Sequence, residues 1–162
     1  RRDMSKTRKE SLKIINDFYQ FSYVDDRLKC VYCDMGRECI DHMPPLSQVR
    51  KFGVSRVKKE NITLHLVPSC KACNTALGAR PLWNYSDRLN YLYSHYTRKL
   101  ESHALWGDDE IEELSGHLKQ MIKAKQKHLR DEIVARIRAI ECNLIQAETR
   151  EAKLEGCGIG LS

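Results

Sequence analysis

No run of apolar residues in the sequence approaches the ~18 needed to cross a bilayer, and no basic n-region followed by an apolar h-region opens it. The expectation is a soluble, intracellular, cytoplasmic protein with no membrane partner. Internal repeats and low-complexity tracts are also absent, so neither a solenoid nor a disordered array is indicated. Proline is missing from the whole stretch 108–156, where nothing interrupts a helical pattern. Missing too is the cysteine pattern of a secreted disulfide framework: the seven cysteines stand at 30, 33, 39, 70, 73, 142 and 157, four in two C-x-x-C pairs and three alone. An odd, clustered set of this kind points to metal rather than to disulfides.

The 162 residues, 41% of them hydrophobic, suffice for one modest core, hence one domain or a small domain with an extension. Lys and Arg number 28 against 22 Asp and Glu. That excess suits a polyanionic partner, although solvated helix surfaces carry similar charge. The first methionine is Met4, so Arg1–Asp3 are either added residues or a sign of a longer protein, and both readings stay open.

The pattern along the chain predicts a mostly helical α+β protein. Thr7-Arg8-Lys9-Glu10 has the form of a capping box, and Leu12, Ile15 and Tyr19 follow at helical spacing, which predicts an amphipathic helix over about 7–23 within an N-terminal segment 1–28. Residues 29–84 change character: a knuckle at Cys30–Cys33, an extended piece ending Ile40-Asp41-His42, a Pro-Pro break, a basic loop, a strand-like Asn61–Val67 and a second knuckle at Cys70–Cys73. This is β, loop, β, helix. Ser86 is the expected cap of a helix over 85–106 that buries Leu89, Leu92, Tyr93, Tyr96 and Leu100 and leaves Arg88, Arg98 and Lys99 to water or phosphate. The tyrosines between 85 and 96 have the spacing of core residues. Gly107 and Asp108 punctuate, and apolar residues from Ile111 to Leu154 then recur at three- and four-residue steps. That predicts a long helical extension over 107–156, as a coiled coil or helical hairpin, before a flexible tail at 157–162.

Cys30-x-x-Cys33 and Cys70-x-x-Cys73 offer two chelating turns, and together they complete a tetrahedral four-cysteine zinc site. Four thiolates leave no open position for water, so such a zinc is structural. Cys39, Cys142 and Cys157 read as small buried hydrophobes or incidental thiols. Between the knuckles, Asp41 and His42 end a strand, where alternation sends them to opposite faces: one can hold metal while the other meets water. Asn74 follows Cys73 directly and offers a hard amide oxygen to Mg²⁺.

The ordered set C-x-x-C, Asp41-His42-Met43-Pro44-Pro45, and Val67-Pro68-Ser69-Cys70-x-x-Cys73-Asn74 resembles the zinc-stapled branch of the HNH (ββα-metal) endonucleases over about Cys30 to Arg80. The resemblance implies a ββα-metal core in which Asp41 and Asn74 bind a catalytic Mg²⁺ or Mn²⁺, His42 is the general base, and a DNA phosphodiester is hydrolysed to 5′-phosphate and 3′-hydroxyl ends. Many members of the family carry histidine where this chain has Asn74. The residue bracing the His42 loop is either His65, five before Cys70, or Asn61, nine before it. A neutral imidazole can take a proton from water near neutral pH, so the chemistry fits the residues independently.

Arg50, Lys51, Arg56, Lys58 and Lys59 crowd the ten positions 50–59 and are candidate contacts to backbone phosphates; Arg80, Arg88, Arg98 and Lys99 are further candidates. A nuclease of a phage, mobile element, restriction or defence system is the leading expectation. Two alternatives compete: a zinc-stabilised module that binds nucleic acid or protein without catalysis, and an interaction protein acting through its C-terminal helices. Self-association through 108–155 would pair two sites for double-strand cleavage, whereas a monomer would nick.

Overall fold

The computed structural model describes residues 13–22, 24, 26–102, 107–147 and 149. Three short strands, β1 (Gln20–Phe21), β2 (Cys39–Met43) and β3 (His65–Ser69), make one sheet in the order β1-β3-β2. The described helices are α1 (Leu46–Phe52), α2 (Val54–Lys59), α3 (Lys71–Leu77), α4 (Tyr85–Ser102), α5 (Asp108–Glu113) and α6 (Gly116–Ile145). The chain is α+β, mainly helical, with a small sheet and a long C-terminal helix, as the sequence pattern predicts.

β2 and β3 pair antiparallel, with Asp41 opposite Val67 and Met43 opposite His65. Alternation then puts Cys39, Asp41 and Met43 on one face and Ile40 and His42 on the other. Each face meets its own core. On the first face, the four knuckle cysteines, Tyr32, Met43, Val67, Leu77 and the inner sides of α4 and α6 form one apolar cluster. Beyond the other face, Ile15, Tyr19, Val49, Val57 and Leu64 form a second, with Leu66 packed against it.

Several expectations need correction. Among the described residues of the N-terminal stretch only 13–16 are helical, and Gln20–Phe21 is a strand parallel to β3. The reason is local: Gln20 N–H and Ser22 N–H donate to Leu64 O (3.0 Å) and Leu66 O (3.1 Å), so pairing with β3 replaces helical bonding. The capping box at 7–10 lies outside the described residues. The basic loop is instead two short helices, α1 and α2, which meet at Gly53 with φ +97°. Such a conformation is open to glycine and strained for other residues. Asn61 is not on the strand; it occupies the turn after α2 with φ +52°, a region asparagine tolerates, and β3 starts at His65. Asn84, not Ser86, supports the start of α4, its Oδ1 accepting from Asp87 N–H at 2.8 Å. Arg88 does not face water: it is 1% exposed.

The long C-terminal pattern resolves into α5 and α6, separated at Leu114–Ser115, with Gly116 at φ +59°. The second half of α6 packs on α4 and buries Ile133, Arg136, Ile140 and Asn143. Its first half presents Leu118 and Met121 to solvent, more than half exposed. No described helix is long and apolar enough to cross a membrane. Residues 151–162, including the expected tail and Cys157, lie outside the described residues.

Ile140 is fully buried whereas Leu118 is exposed, so one helix should show two different sensitivities. Ile140→Ala is expected to cost ~2–5 kcal/mol and Leu118→Ala within about 0.5 kcal/mol of zero, read from urea unfolding midpoints. Equal effects would contradict the docking of α6 by its second half.

Candidate functional site

The two knuckles converge. Cys30, Cys33, Cys70 and Cys73 are buried, and their sulfurs all lie within 4.8 Å of one another. A Zn–S bond of ~2.3 Å in a tetrahedron requires sulfurs about 3.8 Å apart; Cys33 and Cys70 Sγ stand 3.7 Å apart. Donor type, number and spacing therefore fit a zinc ion. The turns that set this geometry are local. Cys30 N–H donates to Met35 O at 2.6 Å and Val31 N–H to Pro68 O at 2.9 Å, which fastens the first knuckle to β3. Cys70 is the N-cap of α3, its sulfur accepting from Cys73 N–H at 3.4 Å.

Charge around the cluster is compensated from a distant part of the chain. Arg136 Nη1 donates to Cys33 Sγ (3.2 Å) and Cys70 Sγ (3.1 Å), while its Nη2 holds Glu132 at 2.8 Å. Burial alone would lower the Arg136 pKa, but the bonds to Glu132 and Cys70 outweigh it and hold the guanidinium well above its usual range. Asn143 Nδ2 donates to Tyr32 O at 2.8 Å, and Tyr85 OH to Val31 O at 2.7 Å. So α4 and α6 grip the first knuckle by its carbonyls. Tyr96 OH lies 3.5 Å from Cys73 Sγ.

Asp41 is deep and already engaged. Its Oδ2 accepts from Arg88 Nη1 at 2.5 Å and from Tyr32 OH at 2.7 Å. The other Arg88 donors reach Leu82 O and His42 O, each at 3.0 Å. Burial pushes the Tyr32 hydroxyl well above its ordinary pKa, so it stays a donor. Both protein contacts fall on Oδ2, and Oδ1 is the oxygen through which a metal would meet this side chain. Asn74, half-buried on α3, turns its Nδ2 toward Cys39 Sγ at 3.5 Å. Since Cys39 and Asp41 share a face of β2, the Asn74 amide belongs to the Asp41 side of the sheet.

His42 occupies the opposite side, half-buried, with its ring edge-on to Tyr19 at 4.8 Å. Its Nε2 lies 2.6 Å from Asn16 Oδ1. A carboxamide oxygen only accepts, so Nε2 carries the proton and Nδ1 keeps a free lone pair. Burial holds the His42 pKa below its ordinary 6.5, against the opposing pull of Asp41. His65 is buried on β3, with Nδ1 at 2.5 Å from Ser22 Oγ. It ties the segment after β1 to the sheet, and its backbone pairs with Met43, next to His42. The bond to the His42 ring comes from Asn16, a residue outside the motif.

The basic residues all lie exposed on α1 and α2. Arg56 covers the Phe52 ring at 4.4 Å and pairs with Glu60 at 3.7 Å, and Lys58 lies over Phe18 at 4.5 Å. Arg50, Lys51 and Lys59 stand exposed beside them. Cys39 is half-buried and Cys142 exposed. No protein-family model, curated protein or solved structure matches this chain.

Two outcomes follow. Arg136→Met removes two N–H donors from cluster sulfurs at similar volume, and zinc retention is expected to fall roughly 10–100-fold, measured by competition with a chromogenic chelator. Arg88→Met leaves Asp41 buried without its partner and is expected to cost about 3–5 kcal/mol; an unfolding midpoint unchanged in zinc-saturated protein would show that the pair does not form.

Proposed function

We propose that this chain is a metal-dependent endonuclease of the HNH type that hydrolyses phosphodiester bonds in DNA, with the cysteine cluster holding a structural zinc. The observation that carries the reading is His42: a half-exposed imidazole at a strand end, held by Asn16 through Nε2 so that Nδ1 is free. Its depressed pKa keeps that nitrogen unprotonated at neutral pH, as a general base requires. Nδ1 would accept the proton of the attacking water. The Arg88 donation to the His42 carbonyl and the Asn16 bond keep the ring from swinging away. α1, the helix after Pro44–Pro45, and α2 bring Arg50, Lys51, Arg56, Lys58 and Lys59, whose charges would hold the flanking phosphates.

Asp41 and Asn74 would hold Mg²⁺ or Mn²⁺. One carboxylate oxygen and one amide oxygen, with waters and a substrate phosphate, form the hard donor set Mg²⁺ accepts. The ion would supply charge stabilisation at the phosphoryl and leaving oxygens. The products would be 5′-phosphate and 3′-hydroxyl ends. Self-association through the exposed first half of α6, at Leu118 and Met121, would convert nicking into double-strand cleavage.

A second reading has its own support: Asp41 and Asn74 lie on one side of the sheet and His42 on the other. Arg88 already neutralises Asp41 inside the protein, and a guanidinium beside a carboxylate opposes a divalent cation there. In that reading Asp41, Tyr32 and Arg88 are an internal brace, and the chain is a zinc-stabilised binding module.

Supercoiled plasmid separates the two. With Mg²⁺ the wild type is expected to nick, His42→Ala to lose about 10²–10⁴-fold in rate, and the rate to fall as pH drops through a value below 6.5, where Nδ1 takes a proton. Asn16→Asp puts a carboxylate against Nε2, stabilises the imidazolium, and should shift that acid limb upward by about 1–3 pH units. Folded, zinc-loaded protein that leaves plasmid, single-stranded and branched DNA intact would favour the binding module.

A further inference from the structure

A cleft of about 490 Å³ opens between α3 and α4, and its lining includes neither His42 nor the basic residues of α1 and α2. Lys71, Arg80 and Lys99 line it, all three exposed, and among the described residues no Asp or Glu does. Glu38 is the nearest acid in the bonding pattern, and it is engaged: its Oε2 accepts from the Lys71 backbone N–H at 2.8 Å. Arg80 is fixed in place, with Nη1 donating to Ala76 O (2.8 Å) and Leu77 O (3.2 Å) and its guanidinium 4.7 Å from the centre of the Tyr91 ring. His95 stacks beyond Tyr91 at 6.2 Å. Burial first, then the fields of Lys99, Arg98 and Arg80, hold His95 below its ordinary 6.5. The neutral ring keeps one N–H donor, and the described ion pairs include none of Lys71, Arg80, Arg98 or Lys99.

From this cleft we infer a second nucleic-acid contact, in which the sugar-phosphate backbone of one DNA strand lies along α3 with its phosphates on Lys71, Arg80 and Lys99. The dimensions match. α3 has seven residues, about 10 Å at 1.5 Å each, and separates Lys71 at its start from Arg80 just past its end. That span exceeds the ~3.4 Å axial rise per phosphate of one strand, so Lys71 and Arg80 would meet different phosphates. One anchored and two mobile cations over apolar and aromatic walls suit a polyanion that must be positioned without being read by sequence. The inference rests on the nuclease reading only in taking DNA as the ligand.

The test is fluorescence anisotropy of a short labelled duplex with full-length, zinc-loaded protein and no added divalent ion, so that binding is measured without cleavage. Lys71→Gln with Lys99→Gln is expected to weaken binding and to reduce the slope of log K against log salt by about 1 per lysine, with zinc content unchanged. Because Lys71 adjoins the cysteine cluster, Lys99→Gln alone, on the exposed side of α4, provides a variant that leaves the cluster untouched and should show half the loss of slope. An unchanged slope in both variants, while Lys58→Gln with Lys59→Gln abolishes binding, would overturn the cleft. So would equal binding to phosphatidylserine vesicles with the same dependence on Lys71 and Lys99. Binding that depends on the cleft in a protein that never cuts would leave this inference standing and remove the catalytic reading alone.

Discussion

The larger of the two cores is arranged around the four sulfurs that the knuckles bring together. With zinc in place a four-thiolate site carries net negative charge, and burying such charge requires a partner. Arg136 is that partner, reaching Cys33 and Cys70 from near the end of the chain. The contact explains why α6 turns back onto the core rather than projecting as a free coiled coil. It also explains the asymmetry along the helix: the half that reaches the cluster is buried, and the half before it is wet. Ordering the first knuckle fixes Tyr32, which holds Asp41, and ordering the second fixes Asn74. The cluster thus governs the geometry of residues that do not touch it.

A second buried charge pair links the sheet to α4. Arg88 binds Asp41, Tyr32, Leu82 O and His42 O with its several donors, so it holds both a side chain and the backbone of β2. Such a pair is costly to form and costlier to break, which favours a single arrangement of the strand end. Both protein contacts of the carboxylate fall on Asp41 Oδ2, which accepts from Arg88 and from Tyr32.

Much of this was legible in the sequence. The C-x-x-C pairs, the strand ending at Asp41-His42, the tyrosine face of α4 and the long helix all follow from local spacing. What the sequence concealed came from contacts between distant segments. Asn16 meets His42 across 26 positions and Arg136 meets Cys33 across 103, separations no local pattern encodes. β1 was hidden because Ile15 and Tyr19 suit a helix as well as a strand approach, and pairing with β3 decided the matter. For the two arginines a signal existed. Arg88 lies in line with Tyr85, Leu89, Leu92 and Tyr96, and Arg136 with Ile133, Ile140 and Asn143. A cation on an apolar stripe signals a buried anion facing it, a signal that the assignment of Arg88 to water or phosphate passed over.

The four buried sulfurs, all within 4.8 Å of one another, have the arrangement that would hold one zinc. X-ray absorption at the zinc edge of the purified protein tests it most directly. The account requires a shell of four sulfurs at ~2.3 Å and no nitrogen or oxygen neighbour. A mixed shell, or folded protein without zinc, would contradict it.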